Sequence, residues 1–192
     1  LTERVEIDGS VVSARLVGGQ MRIVTSSHPA TFDFVSPNGR GAEDAAESAN
    51  RRIIEESKVE DWLPRMYVYG DGAVRISETK PLLGCNSVSR PKEYAGLGVL
   101  SVLTIDADGA VDPAANVGVM GDGETVYASS SGLYVTTNQP EELVRRGTPE
   151  YHTSIHKFDI TGTGAAVYRA SGKFDGALLN QFSMSELGGV LR

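Results

Sequence analysis

A single cadence is written three times in these 192 residues, and it limits the fold more than any other feature of the chain. A strand-like run ends in an acidic turn, a second run follows, and a pair of short strands then closes on small hydroxyl residues. The clearest copy reads LSVLTIDADG from Leu100, ANVGVM ending at Met120, and TVYASSSGLYVTTN from Thr125 to Asn138. The next reads TSIHKFDITG, AAVYRASGKF and LLNQFSMSELGGVLR, reaching Arg192. A worn copy opens the chain as ERVEIDG followed by VVSARLVGGQMRIVTSS. A long repeat made of strands predicts stacked four-stranded units arranged around an axis.

The two better copies assign the strands of one unit in order. TVYAS is expected innermost, GLYVTTN second, SIHKFDI third and AAVYRASGKF at the outer edge, with NQFSMSE starting the next unit. By this count the chain is mainly β, with antiparallel blades of an incomplete propeller: about two blades and part of a third. A closed ring takes four to eight blades. Blade faces and strand edges are therefore expected to be open to self-association unless other blades or another copy cover them. Both ends of the chain read as strand, which marks it as an expected segment of a longer protein. Residues 1–192 are read as one module.

Within it, Ser27 to Gly98 reads as an insertion between the second and third strands of the first blade, about 28–97. Gly18-Gly19, between alternating Ala14, Leu16 and Met21, Ile23, is a two-residue hairpin signal, because glycine takes positive φ without a Cβ penalty. From His28 to Arg40 the breakers Pro29, Pro37, Asn38 and Gly39 mark a loop. AEDAAESANRRIIEES, Ala42 to Ser57, is free of Gly and Pro and predicts one helix, with Ala45, Ala49, Ile53 and Ile54 on its apolar face. Glu43 and Asp44 stand at the end where the helix dipole favours them. Trp62 and Leu63 are expected to anchor the insert to the sheet, and Pro64 ends any helix. MYVYGDGAVRIS predicts a hairpin turning at Gly70-Asp71-Gly72, and PLLGCNSVSRP an irregular or edge segment. QPEELVRRGTPEY, between Asn138 and His152, predicts a charged surface loop.

Three stretches carry a family resemblance: SANRRIIEESKVEDWLPRM with the later PLLGCNSVSRP, GETVYASSSGLYVTTN, and TSIHKFDI with ASGKFDGALLNQFSMSELGGVLR. The last is the most specific, with Ile155–Asp159 and Asn180–Glu186 at the expected separation. They resemble the β-propeller domain of bacterial secreted or envelope-attached proteins, a group distantly related to WD40-type propellers. The resemblance covers most of the chain from Ser48 onward. It implies a blade array, a bacterial source and an extracytoplasmic setting, and it brings no catalytic residues. Members usually continue past the VLR strand into further blades.

Composition narrows the partners. The 18 basic against 25 acidic residues give a net charge of −7, and no basic stripe offers a phosphate backbone its electrostatic footprint. Nucleic acid is not an expected partner, and no apolar run is long enough to cross a bilayer. The single cysteine, Cys85, rules out a disulfide within the chain.

Each chemical candidate competes with a structural reading. His152 and His156, four apart, fall on one side of a strand and form a possible metal pair, but no further ligand stands at a matching interval, and His156 equally fits packing beside Phe158. Asp106, Asp108 and Gly109 make a DxDG fragment that suggests calcium. An EF-hand needs a later glutamate where Ala115 stands, and a tight turn wants the same residues. Ser129–Ser131, Ser183 and Ser185 lack a nucleophile elbow, Cys85 lacks basic neighbours, and Gly121 and Gly123 lack the strand-to-helix setting of a phosphate loop. The tyrosines, Tyr67, Tyr69, Tyr127, Tyr134, Tyr151 and Tyr168, suit either a sugar-binding face or cross-strand packing. The expectation is a non-catalytic binding module for an unknown protein or glycan, with 138–152 and the helical insert as its contact loops and no cofactor beyond a possible calcium. The alternatives are an extracytoplasmic hydrolase completed by blades outside the segment, using His156 or Asp159, and a structural envelope component joined through strand edges.

Overall fold

The computed structural model describes residues 4–29, 32–92, 94–106, 112–140 and 151–192, with side chains left aside at 138–140 and 151. Its strands are β1 (Arg4–Ile7), β2 (Ser10–Val17), β3 (Gln20–Ser27), β4 (Arg65–Tyr69), β5 (Glu78–Pro81), β6 (Val88–Ser89), β7 (Val99–Asp106), β8 (Val117–Met120), β9 (Gly123–Ala128), β10 (Gly132–Pro140), β11 (Tyr151–Asp159), β12 (Val167–Asp175), β13 (Glu186–Leu187) and β14 (Val190–Leu191). Two helices, α1 (Glu43–Glu56) and α2 (Val59–Trp62), lie between β3 and β4.

Two antiparallel blades carry the fold. The first is β2-β3-β7-β8, and the second is β9-β10-β11-β12 in the strand order read from the sequence. Ser101–Asp106 and Ser154–Asp159 hold the same third position in their blades, which is why the two runs share a cadence. Val17 pairs with Gln20 across Gly18 and Gly19, both at positive φ (59° and 82°), so the hairpin turns as expected of a type I′ pair. The same geometry recurs at Gly188 and Gly189 (60° and 79°), which join β13 to β14. This short hairpin is the start of the third unit.

Alternation along β3, β7 and β8 sorts side chains to two cores. Val24, Leu100, Val102 and Val119 face blade two, where they meet Val126, Leu133, Val135 and Phe158. The blades approach closely at Gly123, where a Cβ would stand 1.9 Å from Leu100 Cδ1. Val99 and Leu103, one residue out of phase, face the opposite way onto Met66, Val68, Leu82 and Leu83. β7 is therefore buried on both faces over most of its length.

The second core is made by a separate sheet, β1-β4-β5, packed on the far face of blade one. This corrects the reading of ERVEIDG as part of a worn blade. β1 pairs instead with β4, Arg4 opposite Tyr69 and Ile7 opposite Met66. β3 and β7 pair directly although residues 28–98 lie between them. β6 returns from that excursion to run parallel along the outer edge of β8. Leu82 and Leu83, just before it, are fully buried. β4 and β5 form a hairpin with Val68 opposite Glu78; the chain turns at Gly70-Asp71-Gly72 as expected, where the Ala73 N–H donates to the Gly70 carbonyl, but the returning strand is Glu78–Pro81, beyond the AVRIS run.

One detail of the insert differs from expectation. On α1 the buried residue is Ala46, with Ala49 and Ile53 half-buried and Ala45 and Ile54 exposed, so the apolar face is rotated by about one residue. Trp62 packs its ring on Phe32 at 4.7 Å and donates its indole N–H to Ser57, and with Leu63 it lines a cavity against Val99 and Met120 of blade one. The predicted 138–152 loop is shorter, since β10 runs to Pro140 and β11 starts at Tyr151; residues 141–150 lie outside the described part.

Arg22 ties the blades together. It is 1% exposed on β3, and its guanidinium donates to the carbonyls of Gly162 (2.6 Å) and Gly164 (2.8 Å) in the β11–β12 loop and to the Thr104 hydroxyl. All three acceptors are neutral, and burial pulls the guanidinium pKa below its ordinary range while leaving it charged. Hydrogen bonds to a charged donor contribute about 1.5–3 kcal/mol each when one partner is removed. Arg22→Ala is expected to cost at least about 2 kcal/mol, read as a lower urea midpoint. Arg22→Lys, with one ammonium for two carbonyls, should also lower it. An unchanged midpoint in both would show that the loop is held by packing alone.

Candidate functional site

Between the blades, outward of the shared core, lies a cleft of about 470 Å³. One wall is the segment that leaves β6: Arg90, Pro91, Lys92 and Ala95. The other is the cleft-facing side of β11 and β12: Ser154, His156, Tyr168, Ser171 and Lys173. The pairing explains this second wall. His156 sits opposite Ser171, and Ser154 opposite Lys173, so alternate residues of two neighbouring strands share one face.

His156 is the chemical centre of that wall. It is 1% exposed, and its Nδ1 lies 3.1 Å from the Tyr168 hydroxyl. Its Nε2 is buried and has no hydrogen-bond partner. Burial lowers the imidazole pKa below the ordinary 6.5, so the ring is neutral at pH 7. If the Tyr168 hydroxyl donates to Nδ1, Nε2 carries the proton and can donate; the opposite tautomer accepts. A buried polar atom without a partner costs free energy that a ligand atom of matching polarity would recover.

The remaining sequence candidates do not join it. His152 Nδ1 lies 2.8 Å from Asp175 Oδ1, a cross-strand pair beyond the cleft lining. Asp106 ends β7 opposite Gln20 and is exposed, and Asp108 lies outside the described residues. Among the described residues, no three His, Cys, Asp or Glu side chains come together to hold a metal ion. Asp159 is bound into its own turn. The Thr161 N–H and hydroxyl, and then Arg169, hold its carboxyl well below the usual carboxylate range. Ser129 and Ser131 donate to Glu186, whose N–H in turn donates to the Tyr127 hydroxyl, so these groups fasten β13 to blade two.

Most tyrosines serve packing. Tyr127 and Tyr134 are 6.0 Å apart on the face of blade two away from blade one, and Tyr67 and Tyr69 donate to Asp8 and Glu6 on the insert sheet. Cys85 is exposed beside a second cavity of about 320 Å³, walled by Val59, Trp62, Leu63, Val99 and Met120. Among its described lining residues that cavity is mostly apolar, with Cys85 and with Arg90, which it shares with the cleft.

Sequence reading missed Arg90, Lys92, Ser154, Ser171 and Lys173. The alternation Ser171, Lys173 opposite Ser154, His156 was available as a clue once β11 and β12 were paired. Nothing local announces that Arg90 and Lys92 fold across to meet them.

The neutral imidazole has a consequence for stability. Its folded pKa is depressed, so its contribution is complete above the unfolded value of 6.5 and is lost as pH falls toward the folded value. The urea midpoint of the protein should drop below about pH 6.5, with a component missing in His156→Gln. Superimposable pH profiles for the two proteins would mean that the ring is solvated enough to protonate freely.

Comparison with known proteins adds one finding. The family model described as "Beta propeller domain" matches residues 1–192. No curated protein and no solved structure matches.

Proposed function

The chain belongs to the β-propeller domain family, and from that premise we propose that it is a non-catalytic binding module whose ligand enters the cleft between its two blades. The observation that carries this reading is the buried, unpartnered Nε2 of His156 in the wall of a cavity large enough for a small molecule or a short segment of glycan or peptide. Binding is favoured over turnover because the ring is oriented by a tyrosine hydroxyl, and among the described lining residues there is no carboxylate to assist it as a base. The extracytoplasmic setting belongs to the same proposal and rests on the sequence resemblance. Among the described residues no helix is long and apolar enough to cross a membrane.

A glycan and peptide array, run with and without calcium, tests the reading. Ser171 is exposed on the edge strand, so Ser171→Trp should fill the cleft without disturbing the core. Any ligand captured by the wild-type protein should be lost in this variant. Equal capture by both proteins would move the site elsewhere, and cleavage of a captured glycan during incubation would replace the binding reading with a hydrolase.

A further inference from the structure

The second cavity, of about 320 Å³, opens on the face of blade one that turns away from blade two. Its floor is one stripe of that face. Val99 pairs with Met120, and Val88 pairs with Gly118, two residues from Met120, so the three side chains point the same way. The insert sheet packs Met66 and Val68 on this face, and the α2 segment supplies the cavity's other wall with Val59, Trp62 and Leu63. That wall is held in place. The Trp62 indole N–H donates to Ser57 (2.8 Å) and its ring packs on Phe32, so its one polar atom is already taken. Past Leu63, the Pro64 carbonyl accepts from the Leu82 N–H (2.8 Å), which fastens the wall to the end of β5. Val59, Cys85 and Arg90 are exposed, so the cavity has an entrance on their side.

We propose that this cavity is a second binding site, independent of the cleft, for a small apolar molecule with a body about the size of two fused rings. Water is a poor occupant. It needs roughly two to four polar partners, and Val59, Leu63, Val88, Val99 and Met120 supply none from their side chains. An apolar guest gives these walls the carbon contacts that they forgo against solvent, and it leaves water itself on entering. Trp62 meets such a guest with a ring already fixed by two partners, so little side-chain freedom is lost on binding. Across from it the unbranched Met120 can adjust its thioether to the guest's outline. Size narrows the class further. An apolar cavity of roughly 150 Å³ takes one benzene, and this one has about twice that space.

The chain has a single cysteine, and it lines this cavity, so its reactivity reports on this site alone. The probe is N-phenyl-1-naphthylamine, an uncharged fluorophore that brightens when it leaves water, titrated into the whole chain. It should bind saturably and, at about ten times its Kd, slow the alkylation of Cys85 by iodoacetamide about tenfold. Val59→Phe, at an exposed position on α2, should fill part of the cavity and weaken binding by about tenfold or more. Val88→Phe, on the edge strand β6, fills it from the floor and should do the same. Ser171→Trp, which fills the cleft, should bind the probe as the wild-type protein does. The absence of saturable brightening would overturn the proposal. So would brightening that leaves the Cys85 rate unchanged or persists in both filled variants, because the probe would then sit on another surface. Loss of the probe in Ser171→Trp alone would assign it to the cleft, which removes this site and leaves the cleft reading intact.

Discussion

The contact between the two blades is the constraint from which the rest of the structure follows. A four-stranded sheet cannot bury both faces by itself, and here the apolar stripe of β7 and β8 is satisfied only by the stripe of β9, β10 and β11. Arg22 fixes how the two sheets meet. Its fork spans from β3 to the carbonyls of the β11–β12 loop, so the blades cannot slide without stranding a buried guanidinium. Apolar packing alone tolerates small shifts, whereas a buried charge with only neutral acceptors does not. Beyond this core, β11 and β12 face the segment after β6 across the cleft.

The insertion answers a different problem. Blade one has a second apolar face, carried by Val99 and Leu103, which in a stack of blades would lie against a neighbour. In this chain the sheet of β1, β4 and β5 takes that place, closing over the face with Met66, Val68, Leu82 and Leu83. β6 then lies along β8, so the outer edge of blade one is paired, while β12 presents the outer edge of blade two with Arg169 and Lys173 exposed along it. Charged residues on such an edge discourage uncontrolled strand pairing.

Legibility followed distance along the chain. Strand alternation and the Gly18-Gly19 turn act within a few residues, and both read correctly, including the order of blade two. Gly188-Gly189 obeyed the same turn rule and could have been recognised by it. The helix was legible as a helix, yet its buried face was displaced because Ala45 and Ala46 are equally apolar and only a neighbour chooses between them. ERVEIDG had the composition of a blade strand, and its partner, some sixty residues away at β4, left no local mark. His156 was visible as a candidate by its chemistry, but the partner first weighed, His152, belongs to a separate pair with Asp175. The cations facing it were indistinguishable from ordinary surface residues.

The sequence by itself determined a repeating antiparallel unit, its strand order, its turns and the place of a helical excursion, because hydrophobic period and glycine φ are local properties of the backbone. Tertiary structure alone decided which sheet covers which face, where Arg22 loses its water, and that the segment after β6 would come to lie across a cleft from the buried, neutral His156. Those outcomes depend on contacts between residues far apart in the chain, and the energies that select them arise only when the blades have already met.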